Sequence, residues 1–187
     1  MKNLMKFAII LLFLSFSNAG CEKIKDLADV SFDANFDTEM NVDVKPTAQK
    51  SGLEMGSFSE TADIDPNTNE DFKTYASKIK EIKITKVVFE IIEITNAPNN
   101  TVQLGSATLS VDKTGYTSAK WMESAQALTV GTKFEYSTMD AQFTYLQNIL
   151  NSKEVFTVNF YGTADPVDAS FKVKVSINST IVANPLN

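Results

Sequence analysis

From Val30 to Val44 the chain alternates without a break. Val30, Phe32, Ala34, Phe36, Thr38, Met40, Val42 and Val44 hold the even positions, and Ser31, Asp33, Asn35, Asp37, Glu39, Asn41 and Asp43 the odd ones. A period of two puts one set on a buried sheet face and the other in water, so the segment is a half-buried β-strand. At about 3.3 Å per residue it would reach roughly 50 Å, long for one straight strand in a small domain. The pattern therefore predicts a bend, a bulge, or a passage from one sheet to another.

The later elements follow from the same reading. Leu53 to Ile64 is a second, weaker strand pattern. Asn69 precedes Glu70-Asp71, a good helix entry with acids in the first turn. Phe72, Tyr75, Ala76, Ile79 and Ile82 then recur at helical spacing and predict an amphipathic helix over 70–81. Ile82 to Thr95 is apolar at consecutive positions in its middle (Val87, Val88, Phe89, Ile91, Ile92), which predicts a central strand covered on both faces. A turn at 96–100 leads to Val102–Val111, expected to return as a hairpin. Lys113-Thr114-Gly115 turns the chain again, and shorter strands are expected near Tyr116–Met122, Ala127–Val130 and Lys133–Tyr136. A second helix over 139–151 would bury Met139, Phe143, Leu146 and Leu150, with Ser137 or Thr138 as its cap. Val155–Tyr161 and Ser170–Val182 read as a last hairpin around Ala164-Asp165-Pro166.

Many strands and few helices predict a mainly β fold: a two-layer antiparallel β-sandwich, immunoglobulin-like or jelly-roll-like, with two short amphipathic helices near 70–81 and 139–151. The order helix, strand, turn, strand occurs twice, at 70–111 and 139–182. A remote duplication and coincidence both account for that.

The N-terminus has a different character. Lys2 and Lys6 precede an apolar run from Phe7 to Phe16, and Ser17 to Gly20 is small and polar. This layout is a signal peptide; the run is half the roughly 20 residues a membrane-spanning helix needs. Cys21, the single cysteine, follows directly. The segment Asn18-Ala19-Gly20-Cys21 resembles the lipobox of bacterial lipoproteins, with Asn18 standing where an aliphatic residue is usual. The resemblance implies cleavage by signal peptidase II between Gly20 and Cys21, a diacylglycerol thioether on the Cys21 sulfur, and an acyl group on the freed amine. Each buried methylene contributes about 0.8 kcal/mol, so one chain binds marginally and two or more hold firmly. The alternative is a free thiol in a secreted protein, an unusual residue there. The resemblance implies a signal peptide (1–20, removed) and a lipidated tether (21–29), and the length and strand pattern behind them predict one sandwich domain (30–187). Glu22, rather than Asp, after the cysteine resembles outer-membrane sorting in a Gram-negative envelope.

Composition narrows the chemistry. All 17 basic residues are lysines, against 23 acids, and there is no histidine. Loss of Lys2 and Lys6 with the signal takes the formal charge from −6 to −8. Serine–histidine and cysteine–histidine catalysis are impossible, as is a zinc site of Cys and His. An acidic chain with scattered lysines lacks the basic face that nucleic acid requires. No cofactor is implied.

Four features carry candidate chemistry. Asp63, Asp65, Asn67, Asn69 and Asp71 fall at every second position, a spacing that wraps calcium in EF-hand loops, though Thr68 replaces the turn glycine and Thr74 the terminal glutamate. The same residues suit a turn running into a helix cap. Asp33, Asp37, Glu39 and Asp43 make an acidic stripe, for a basic partner or simply to keep a strand face wet. Ser77-Lys78-Ile79-Lys80 and Lys113-Thr114-Gly115 echo fragments of the penicillin-binding signature, but Ser176-Ile177-Asn178, the only middle element on offer, comes last. Trp121, with Tyr116 nearby, suits either a core or an exposed stacking role.

These observations lead to a lipid-anchored envelope lipoprotein acting as a non-enzymatic binding or accessory module. Its partners would be the membrane, through the acyl chains, and a protein or glycan. The alternatives are a carboxylate-dependent hydrolase such as a glycosidase, which needs only two acids, and a lipid carrier with an apolar cavity between its sheets.

Overall fold

The alternating segment forms a single strand, β1 (Val30–Asp43), in a computed structural model that describes residues 29–47, 55–137 and 141–186. Its odd positions are all exposed, and Ala34, Phe36, Met40 and Val42 are buried. After it come β2 (Gly56–Ile64), α1 (Glu70–Tyr75), β3 (Ile79–Thr95), β4 (Val102–Asp112), β5 (Ala119–Leu128), β6 (Lys133–Ser137), α2 (Gln142–Asn151), β7 (Phe156–Asp165) and β8 (Ser170–Ala183). Residues 1–20, expected to be a signal peptide, together with Cys21 and Met139, lie outside the described residues.

Two four-stranded antiparallel sheets stack face to face, in the orders β1-β8-β3-β6 and β2-β7-β4-β5. Every connection between consecutive strands crosses from one sheet to the other, except β4 to β5. That strand order is an eight-stranded jelly roll, two Greek keys wound together. It maps onto itself when each strand is exchanged with the one four places later. The repeated helix–strand–strand order has its counterpart here, with α1 before β3 and α2 before β7.

Several expectations change. The pairs β3/β4 and β7/β8 are not hairpins, because their members belong to different sheets. Alternation tells a strand which face is wet, but both layers of a sandwich share that alternation, so it does not name the partner. β1 needs no bulge: it pairs one-to-one with β8 from Val30/Ala183 to Asp43/Ser170. The register shifts fall on β3 instead, at 79/81, 84/86 and 91/93. Beyond β1 the chain leaves this sheet, and Lys45 bridges Ser57 of β2. β3 is central but not covered on both faces, since Val88 and Ile92 are only half-buried. The first helix ends at Tyr75, and a 3-10 turn (Ala76–Lys78) hands Ile79 and Ile82 to β3. The strand stretches predicted at 116–122 and 127–130 are one strand, β5. Ser137 closes β6 rather than capping α2.

The core is aromatic at its centre. Phe160 lies 4.4 Å from Phe89, 4.9 Å from Phe58 and 6.3 Å from Phe171, measured between ring centroids. These four rings come from both sheets and fill the gap between them.

The helices close one end. α1 seats Phe72, fully buried, edge-on against Phe36 of β1 at 5.4 Å. α2 buries Phe143, Leu146, Ile149 and Leu150 against β3 and β5, beside the short β6. Across that open side, Tyr136 of β6 donates to Glu123 of β5 at 2.6 Å and clasps the two edge strands. The described chain enters at the same end. Asp29 accepts from Lys80 and from Asn184 Nδ2, each at 2.8 Å.

Candidate functional site

The helix end carries three connections: 65–78 with α1, the β4–β5 loop at 113–118, and the segment 152–155 after α2. The EF-hand-like residues sit in the first. Asp65 caps the 3-10 turn Pro66–Thr68, accepting from Asn67 N at 2.9 Å. Asn67 Nδ2 reaches across to the Lys153 carbonyl at 3.2 Å. Asn69 caps α1 by accepting from Phe72 N at 2.9 Å. Asp63 accepts from Thr157 Oγ1 at 2.8 Å, on β2. Asp71 is exposed in the first turn of α1. One oxygen each of Asp63, Asp65 and Asn69 is thus engaged in strand pairing or a cap, and the three face different neighbours.

The acidic stripe is answered residue by residue across the sheet. Asp37 pairs with Lys174 at 2.9 Å, and Glu39 approaches Lys172 at 3.9 Å. Asp33 accepts from Thr180 at 2.9 Å and Asp43 from Ser170 at 2.7 Å. The ladder continues through Lys172 to Glu93, and on the far strand Lys133 pairs with Glu90. Asp37 hydrogen-bonds Lys174 and, with the charges of Glu39 and Glu90, holds its pKa above the ordinary lysine value despite slight burial. The stripe is one rail of a charge-compensated, solvated sheet face.

Of the signature-like fragments, Ser77 lies in the 3-10 turn before β3, and Lys80 is paired with Asp29. Ser176 and Asn178 are on the solvent side of β8. Lys113-Thr114-Gly115 forms a reverse turn with Tyr116, whose N–H donates to the Lys113 carbonyl at 3.1 Å. Gly115 has φ +87°, the left-handed value that the third position of a type II turn needs. Turn geometry explains the motif. Trp121 is buried, stacked on Tyr136 at 5.3 Å and edge-on to Phe143 at 6.1 Å. Its indole N–H has no hydrogen-bond partner among the described residues.

Two hollows flank the 113–118 loop. One, of about 420 Å³, lies between Asp112, Ser118, Val155 and Thr157. Asn159 Nδ2 donates to Asp112 at 2.6 Å, and buried Ser110 donates to the same oxygen. Partial burial pushes the Asp112 pKa up, but hydrogen bonds from Ser110, Ser118 and Asn159 and the charge of Lys120 outweigh it, so the net shift is downward. A lowered folded-state pKa stabilises the fold above the ordinary carboxylate value, near 4, and that stabilisation is lost as pH falls through the lowered value. Asp112→Asn is expected to cost about 1–3 kcal/mol at pH 7, because the neutral amide loses the negative charge that strengthens the hydrogen bonds from Ser110 and Asn159 and attracts Lys120. It should also flatten the fall of melting temperature below about pH 4. Equal acid limbs for the variant and the parent in thermal melts would show that this carboxylate is not coupled to folding.

The other hollow, of about 460 Å³, lies between the loop and α2. Its lining is Gly115, Tyr116, Thr117, Tyr145, Asn148 and Asn151. Tyr145, Asn148 and Asn151 recur at i, i+3 and i+6, on the side of α2 opposite its buried residues. That spacing is the sequence signal for this cluster, and it lies on the polar stripe of α2 rather than on the apolar one that predicts the helix.

The loop's frame is fixed. Lys113 pairs with Glu154 at 2.7 Å and donates to the Val155 carbonyl at 3.2 Å. Through its hydrogen bond and charge, Lys113 lowers the Glu154 pKa.

No protein-family model matches the chain, and no curated protein matches it. Among solved structures it is similar to the decameric BFDV capsid protein, with 10% identity over 82% of this chain and 99% of that one, at a TM-score of 0.42. It is also similar to the 60-mer BFDV capsid protein (9% identity, 86% and 97% covered, TM-score 0.41). A third likeness is to Desmodium yellow mottle tymovirus (9% identity, 84% and 91% covered, TM-score 0.34). At these scores the likenesses carry nothing about activity or partners.

Proposed function

We propose that this chain is a lipid-anchored envelope lipoprotein of a Gram-negative outer membrane, and that its jelly roll is a non-enzymatic binding or accessory module. The observation that carries the proposal is Cys21, the sole cysteine, directly behind Ala19-Gly20 and a signal-like apolar run. Between Cys21 and Asp29 the chain reaches at most about 29 Å, taking ~3.6 Å per extended residue. A domain held this way keeps its helix end toward the bilayer. The opposite loops, at 96–101, 129–132 and 166–169, then stand about a strand length further out, ~46 Å for β1 at 3.3 Å per residue.

The chemistry favours binding over turnover. The chain has no histidine. Asp112, the carboxylate most enclosed by polar groups at the helix end, is held ionised, the wrong state for the general acid of a glycosidase. The aromatic filling between the sheets opposes a lipid carrier, which needs that space empty.

Intact-mass analysis of the mature N-terminus should show a chain starting at Cys21 that bears a diacylglycerol group and an amide-linked acyl group. Cys21→Ser should abolish acylation and membrane fractionation together. Should the variant fractionate with membranes as the parent does, with no acyl mass on the parent, the anchoring proposal is wrong.

A further inference from the structure

We infer that the hollow between the β4–β5 turn and α2 is a binding subsite for neutral pyranose sugars, held between Tyr116 and Tyr145. The inference deepens the reading of this domain as a binding module, and does not depend on the lipid anchor.

The first ground is where the exposed rings lie. Among the described residues three aromatic side chains are substantially exposed: Tyr116 (42%), Tyr161 (40%) and Tyr145 (37%). Two of the three line this one hollow, although they stand 29 residues apart in the sequence, one in the β4–β5 loop and one on α2. No described phenylalanine is exposed, so the two tyrosines do not reflect a loosely filled core. A ring left in water presents an apolar face with a polar tip, and a pyranose offers the matching C–H face.

The second ground is the lining chemistry. All six lining residues are uncharged, although the adjoining loop residues Asp112, Lys113 and Glu154 are charged. Phosphates and carboxylates find no cation there. The side chains of Tyr116, Tyr145, Asn148 and Asn151 make no hydrogen bond to protein among the described residues. Each asparagine amide offers two donors and one acceptor oxygen. That set matches vicinal sugar hydroxyls, which both donate and accept. A hollow of about 460 Å³ falls in the ordinary range for small-ligand sites.

The third ground is rigidity. Tyr145, Asn148 and Asn151 stand on a helix fixed by four buried side chains. Tyr116 ends a turn closed by its own N–H, shaped by Gly115 and pinned through Lys113 to Glu154 and Val155. A preformed site spends little of its binding free energy on ordering its own groups.

The test is isothermal calorimetry of the purified full chain in mild detergent. The probes are cellohexaose, xylohexaose, mannohexaose and maltohexaose, with methyl β-galactoside as a single-ring stand-in for a glycolipid head group. At least one probe is expected to bind. A hexaose alone would identify a polymeric glycan, and methyl β-galactoside alone a head group. Tyr116→Ala and Tyr145→Ala should each weaken binding about tenfold, while Tyr145→Phe, which keeps the ring, should stay within about threefold of the parent. Because both tyrosines are exposed, melting temperatures should be unchanged. If no probe binds, or if both alanine variants bind as the parent does, the subsite is refuted. That result leaves the Cys21 anchor untouched. Cleavage of a bound hexaose, seen by chromatography, would instead refute the non-enzymatic reading while keeping the subsite.

Discussion

Phe160→Ala is expected to destabilise the domain by about 3–5 kcal/mol, the usual cost of removing a large buried aromatic. Phe160 is 2% exposed and stands among Phe58, Phe89 and Phe171. Two of those neighbours, Phe89 and Phe171, come from the opposite sheet. Truncation therefore removes the transfer free energy of one ring and also leaves a void that two hydrogen-bonded sheets cannot close by sliding together. In a domain of this size the melting temperature should fall by about 10 °C or more. Urea melts measure the difference directly. A loss below about 1 kcal/mol would mean that the rings do not form the packed centre described above. Phe160→Leu, which keeps most of the volume, should cost much less.

Gly162→Ala should have a comparable effect, with the opposite sign to the usual expectation. In a strand interior, exchanging glycine for alanine ordinarily helps by roughly 0.5–1 kcal/mol, because the unfolded chain loses freedom. Here a Cβ would come within 2.1 Å of the Ser106 carbonyl oxygen, 2.8 Å of Phe58 Cζ and 2.9 Å of Ala107 Cα. Gly162 pairs with Phe58 on β2 and with Ala107 on β4, beside the bulge between Leu104 and Ser106. Phe58 lies over the glycine and supplies the covering that a side chain would otherwise give. Two of the three obstructing atoms are backbone, so relief means parting β4 from β7. A destabilisation of about 3 kcal/mol, at the upper end for overpacking, is expected. Adding Phe58→Ala should not rescue it, since the backbone obstruction remains. A neutral or stabilising Gly162→Ala would show that β4 and β7 are not so closely apposed.

The candidate subsite was only partly legible in the sequence. Tyr116 stood out as an aromatic near Trp121, but Trp121 is core and its ring contacts are Tyr136 and Phe143. Tyr145, Asn148 and Asn151 were hidden in the polar stripe of α2, where such residues ordinarily mean only solvent. The calcium-like spacing and the Lys113-Thr114-Gly115 motif were conspicuous, and both resolve into turn and cap geometry. Short polar motifs record local backbone needs as readily as ligand chemistry, and the two are separated only by which side chains are left without protein partners.

For the fold, alternation at Val30–Val44 determined a half-buried strand and its inward residues, because a pleated backbone sends neighbouring side chains to opposite faces. The apolar spacing in α2 determined its buried stripe in the same way. Both are consequences of local geometry, which a linear pattern records in full. Which strands pair is not local. β3 and β4, like β7 and β8, carry the alternation of a hairpin, yet each pair divides between the two sheets. Inward side chains are equally satisfied by either arrangement, so only the packing of all eight strands around one core selects the jelly roll. The same packing turns the acidic stripe of β1 toward Lys172 and Lys174, residues far along the chain. It also sets the β4–β5 turn beside α2, where two tyrosines from separate elements share one hollow.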